Sequence, residues 1–123
     1  MIHKEHNLIE TFGFAISGIK TAIMLNRNFK IHLIFAVLVI ISCFVLGLTN
    51  SEIAIIIMVI SLVLGVEMIN TAIEEVVDLV TKDYREEAKY AKDVSAGMVL
   101  IVAIGSFVVG LYIFLPHVLT FLK

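Results

Sequence analysis

The sequence predicts an all-α integral membrane protein: an amphipathic interfacial helix followed by three transmembrane helices. Three observations carry that expectation. The 123 residues are 60% hydrophobic and 16% charged, with a mean hydropathy of +1.06, whereas soluble domains sit nearer half apolar and a quarter charged. Three long apolar runs cross the chain, and the segment before them carries a helical stripe instead of a continuous run. The length holds a single membrane domain, residues 1–123, with no separate catalytic domain beside an anchor.

Residues 1–28 form the first predicted element. Ile9, Phe12, Ile16, Ile19 and Ile23 fall on one face of a helix, while His6, Glu10, Ser17 and Lys20 lie mostly off it. Beside a membrane span, such a segment reads as a helix lying in the interface. The competing reading is a helix outside the membrane that packs against the spans. A cleaved signal peptide does not fit, because the first hydrophobic run starts late and no small-residue cleavage site follows it.

The spans come next. Leu33–Leu48 is uncharged and, with Ile31 and His32, gives a first span over residues 29–48. Ile53–Val66 is uncharged and continues through Glu67 and Asn70 to Ile73, giving a second span over 53–80 with a cytoplasmic extension. Val94–Leu115 is uncharged throughout and gives a third over 94–119, after a cytoplasmic loop at 81–93. About 20 mainly apolar residues cross a hydrocarbon core of about 30 Å. Lys4, Lys20, Arg27 and Lys30 precede span one, and Lys82, Arg85, Lys89 and Lys92 lie between spans two and three. The turn Thr49-Asn50-Ser51-Glu52 has no basic residue and only Lys123 follows span three. The excess of positive charge puts the amino terminus and the 81–93 segment in the cytoplasm and the carboxy terminus outside, in a multi-pass plasma-membrane protein.

Composition also excludes. A formal charge of −2 rules out a nucleic-acid binder that works through a basic surface. The lone Cys43 allows neither an intrachain disulfide nor a cysteine metal cluster. A single proline and seven glycines leave little for linkers, and no internal repeat is present.

The informative stretch lies inside span two. Glu67, Asn70, Glu74 and Asp78 fall on one narrow helical face, and the residues between them include Met68, Ile69, Ile73, Val76 and Val77. A carboxylate near the centre of a membrane helix costs about 2.5–3.5 kcal/mol on insertion scales. Entering at Ile53, the helix carries Glu67 about 21 Å into the core and Glu74 about 10 Å further. One face therefore offers carboxylates at lipid-headgroup depth and at solvent depth. That suits chemistry between a lipid headgroup and a soluble reagent. Two other readings compete: acids paired with a neighbouring helix to fix packing, and a proton or ion pathway. Span one offers only His32 near its start as a basic partner, and the Val94–Leu115 run of span three carries no charge.

The string Glu67-x-x-Asn70-x-Ala72-Ile73-Glu74-x-x-x-Asp78, followed by Ala91-Lys92-Asp93-x-x-Ala96, resembles the signature of the prokaryotic diacylglycerol kinase and undecaprenol kinase family. Gly18-Ile19-x-x-Ala22, Arg27-Asn28-Phe29-x-x-His32 and Ile113-Phe114-Leu115-Pro116 extend the likeness over essentially the whole chain. The resemblance implies a homotrimeric lipid kinase that uses ATP and Mg2+, with active sites shared between subunits at the membrane surface. Glu67 would take the proton from the lipid hydroxyl, Asn70 would orient groups beside it, and Glu74 would hold the metal. Lys92 and Asp93 would meet the nucleotide, as would Asp83, Tyr84 and Arg85 by position. Lys92 on its own reads equally as an ordinary cytoplasmic-side lysine.

Physical chemistry supports this division. Phosphoryl transfer asks for positioning, charge neutralisation and a group that accepts the nucleophile's proton, and magnesium prefers oxygen ligands while keeping several waters. No glycine-rich phosphate loop is present, which excludes the common nucleotide-binding folds but not this family. Where the family usually has a second glutamate on the metal, this chain has Asn26. The resemblance thus makes Asn26 a neutral companion of Glu74 at the metal. It also leaves open a non-catalytic membrane scaffold that kept the fold. Arg27-Asn28-Phe29-x-x-His32 and the terminal Phe-Leu-Pro resemble the undecaprenol branch more than the diacylglycerol branch. Ala96, Ala103 and Gly110 give span three a small-residue strip suited to close helix approach in a trimer.

Overall fold

The computed structural model describes residues 7–123. The first six positions of the expected interfacial segment, Lys4 and His6 among them, lie outside the described residues. Four α-helices and no strand make up the described residues: α1 (Leu8–Leu25), α2 (Arg27–Val45), α3 (Asn50–Val80) and α4 (Glu86–Phe121). All four are long and apolar enough to cross a membrane by length and composition, α1 included.

Each helix boundary has a local cause. Asn7 caps α1, its side chain accepting from the Glu10 N–H at 2.8 Å. A single extended residue, Asn26, ends α1 and caps α2. The chain leaves α2 through a paired closure at Gly47, whose φ of +67° is left-handed. The Gly47 N–H donates to the Phe44 carbonyl at 3.3 Å and the Leu48 N–H to the Cys43 carbonyl at 3.0 Å, which satisfies carbonyls that the helix end orphans. Thr49 then opens α3. Its hydroxyl accepts from the Glu52 N–H at 3.4 Å, and Glu52 Oε2 accepts from the Thr49 N–H at 2.8 Å. Asn50, Ser51 and Glu52, read from sequence as a turn, are therefore the first turn of α3.

The segment expected as a loop at 81–93 is shorter than that. Only residues 81–85 are non-helical, and α4 starts at Glu86. Glu86 and Glu87 in its first turn favour the helix dipole, and Lys89 pairs with Asp93 one turn on at 3.6 Å. Charge ends an apolar run without ending a helix. At the other end α4 accommodates Pro116 and runs to Phe121, two residues past the expected limit of 119.

α3 packs chiefly along α4 and secondarily on α2, while α1 packs less extensively and buries Ala22 near its end. Two buried clusters result. Beside the α2–α3 turn, Cys43, Leu48 and Ile56 pack with Ile60, Ile113 and Phe114. There Glu52 also takes a hydrogen bond at 3.1 Å from His117, joining the start of α3 to the end of α4. The opposite end buries Ala22, Phe29 and Val66 around polar Glu67, Asn70 and Ser95. Elsewhere large apolar side chains face outward, Phe35, Phe44, Ile101 and Phe107 among them. A surface so apolar suits lipid or further subunits and not water.

Candidate active site

The polar face of α3 meets the α1–α2 joint on one side and the start of α4 on the other. Glu67 is 1% exposed and Asn70 6%, both far more buried than carboxyls and amides usually are. Their burial is matched by hydrogen bonds, as the cost of burying a polar group requires. Among the described residues no buried side-chain nitrogen or oxygen lacks a partner.

Asn26 organises the Glu67 side. Its Nδ2 donates to Glu67 Oε1 at 3.1 Å and to Thr71 Oγ1 at 2.6 Å. The Thr71 hydroxyl in turn donates to the Glu67 carbonyl at 2.9 Å. The oxygen of Asn26 faces the other way and accepts from the backbone N–H groups of Asn28 at 2.7 Å and Phe29 at 3.2 Å, which caps α2.

Asn70 organises the other side. The buried Ser95 hydroxyl lies within donating distance of Asn70 Oδ1 at 2.7 Å and of the Lys92 carbonyl at 2.9 Å. Asn70 Nδ2 donates to Glu74 Oε1 at 3.1 Å. A carboxamide that accepts on one edge and donates on the other thus ties α4 to the Glu74 carboxylate. Glu74 itself is half-buried and lines an open cleft of about 220 Å³ with Asn26, Arg27, Asn28, Thr71 and Glu75. One turn beyond, Lys92 donates to Asp78 Oδ1 in a half-exposed ion pair between α4 and α3.

The residues singled out in the sequence fall into two sets. Asn26, Glu67, Asn70 and Glu74 share one continuous region, and Asp78 with Lys92 extends it. Asp83, Tyr84 and Arg85 stand exposed in the 81–85 connection. Asp93 is also exposed, with Lys89 as its ion partner. Among the described residues no hydrogen bond ties these four to Glu67, Asn70 or Glu74. Sequence reasoning missed Thr71 and Ser95, both polar residues set in apolar surroundings and each adjacent to a motif residue. It also missed that Asn26 reaches Glu67.

As for a metal, no group of three or more His, Cys, Asp or Glu side chains is disposed to hold one among the described residues. Magnesium does not demand that. It is commonly bound by one or two carboxylates together with substrate phosphates and water, and Glu74 in its open cleft offers one such oxygen donor.

A second cavity, about 500 Å³ and apolar, opens between α2, α3 and α4. Its wall includes Val63 and Leu64, one turn before Glu67 on α3, and His32 on α2. From there it runs toward Gly110 and Phe114.

Comparison with known proteins finds similar sequences. A family model described as prokaryotic diacylglycerol kinase matches residues 13–114. A diacylglycerol kinase of Synechocystis sp. is 41% identical over 93% of this chain, which spans 66% of that protein, just under two thirds. An undecaprenol kinase of Bacillus subtilis is 39% identical over 90% of each chain. A diacylglycerol kinase of Haemophilus influenzae is 32% identical over 77% of this chain and 80% of its own length.

Proposed function

The chain belongs to the prokaryotic diacylglycerol kinase family, and on that premise we propose that it is a lipid kinase of the plasma membrane. It transfers the γ-phosphoryl group of ATP to the hydroxyl of a membrane lipid alcohol. The observation that carries this reading is the single face on which buried Glu67 and half-buried Glu74 are held by two separate amides. One carboxylate sits at the apolar cavity's end of that face and the other in an open polar cleft.

Glu67 receives the proton of the lipid hydroxyl as the oxygen forms its bond to the γ-phosphorus and ADP leaves. Asn70 holds Glu74 in place through its amide, and Ser95 fixes the orientation of Asn70. Glu74 would hold Mg2+ brought with the nucleotide, and the ion would supply the neutralisation of phosphate charge that phosphoryl transfer needs. Lys92 reaches the nucleotide phosphates by exchanging Asp78 for them, and Asp83, Tyr84, Arg85 and Asp93 approach the nucleotide from the solvent side. The apolar cavity between α2, α3 and α4 takes the lipid's hydrocarbon part, and it opens one turn from Glu67.

Topology follows from the same reading. Asn26 alone separates α1 from α2, whereas antiparallel helix neighbours need connections of about two to eight residues. α1 therefore cannot double back beside α2 as a further span. It lies in the cytoplasmic interface, leaving three spans with the amino terminus inside and the carboxy terminus outside. A homotrimer completes the sites from neighbouring copies.

Undecaprenol is the favoured substrate, with diacylglycerol next. Arg27-Asn28-Phe29-x-x-His32 and Phe114-Leu115-Pro116 support it, as does the match to an undecaprenol kinase over 90% of both chains. The deciding experiment supplies purified protein in vesicles with labelled ATP, Mg2+ and either undecaprenol or diacylglycerol. Faster label transfer to undecaprenol is expected. Transfer to diacylglycerol alone overturns the substrate, and transfer to neither overturns the kinase in favour of a scaffold.

A further inference from the structure

The Asn26 carboxamide is saturated. Its oxygen accepts from two backbone N–H groups and its nitrogen donates to Glu67 and Thr71. A carbonyl oxygen has two lone pairs, and here both face amide hydrogens, leaving none for a cation. The orientation is also fixed. Turning the amide over would point its NH2 group at two N–H donors and its oxygen at a carboxylate.

From this geometry we infer that Asn26 is a positioning residue for Glu67 and stands outside the metal's ligands. The inference rests on the kinase reading only in taking Glu67 as the base. Thr71 doubles the hold: one N–H of Asn26 ends on the Glu67 carboxyl, and the other on a hydroxyl that donates to the Glu67 carbonyl. Both the side chain and the backbone turn of Glu67 are thereby referred to one atom at the α1–α2 joint. The cap and the clamp share a side chain, so the start of α2 cannot shift without moving Glu67.

Asn26→Ser separates these roles. Serine caps helices about as well as asparagine, but it is too short to reach Glu67 and adds no charge. Full-length protein in vesicles would be compared as wild type, Asn26→Ser and Asn26→Ala. Infrared difference spectra read the Glu67 carboxyl band, identified as the one missing in Glu67→Gln, whether or not any lipid is phosphorylated. Label transfer to lipid reads turnover, the KM for ATP and the magnesium giving half-activation. In Asn26→Ser the Glu67 band moves and kcat falls about ten- to hundredfold, the range for a lost hydrogen bond to a charged group. The KM for ATP and the magnesium midpoint stay where they were. Asn26→Ala shows the same band shift and also melts earlier. An unmoved band in both variants overturns the hold on Glu67. A magnesium midpoint shifted severalfold in Asn26→Ser returns Asn26 to the metal. Should the wild type phosphorylate no lipid, the kinase reading falls and the infrared band alone decides the role of Asn26.

Discussion

At the scale of single residues, two carboxylates on one helix face have different surroundings, and their substitutions should fail differently. Glu67→Gln keeps the volume of a buried group and removes its capacity to take a proton. Turnover should fall by about 10²–10⁴, the usual contribution of a positioned base, with the KM for ATP little changed in a steady-state assay. Glu74→Gln should instead impair magnesium use, leaving activity too weak to titrate at ordinary magnesium concentrations. If Glu74→Gln is as active as wild type, the metal is held elsewhere. The register of these residues was legible in the sequence because helical periodicity relates positions three, four and seven apart. The Asn26–Glu67 contact was not, since it joins residues 41 apart through a break in the helix. Ser95 was missed for the same reason: nothing local announces that its hydroxyl meets Asn70 across two helices.

At the scale of elements, hydropathy finds the part of a helix that lies in lipid, and capping chemistry finds where the helix ends. The three long apolar runs were legible for that reason, and the added turns at Glu86–Asp93 and Asn50–Glu52 were not. The closure at Gly47 and Thr49 gives the clearest test. Gly47→Ala forces a Cβ into the left-handed region and should cost about 1–2 kcal/mol. Thr49→Ala removes a cap and should cost about 0.5–2 kcal/mol. Both should lower the thermal midpoint in detergent while leaving the magnesium midpoint of lipid phosphorylation unchanged, because the turn lies at the opposite end of the bundle from Glu74. Glu52→Ala should act the same way and more strongly, since that carboxylate accepts from the Thr49 N–H and also meets His117.

At the scale of the whole molecule, one chain buries little of its apolar surface, and the closely packed regions lie at the two ends. Chemical crosslinking in native membranes should yield a trimer; a ladder that stops at dimer would overturn the assembly. The length of α3 has a further consequence. Its 31 residues span about 46 Å, roughly 16 Å more than an average hydrocarbon core. On the proposed topology the acidic face straddles the place where the helix emerges, so the depth of the site follows the bilayer's. Lengthening the acyl chains of the host lipid would draw Glu74 toward the oil, and shortening them would lift Glu67 toward the water. Turnover measured across vesicles of graded chain length should therefore pass through a maximum, making the protein a gauge of membrane thickness as well as a catalyst within it.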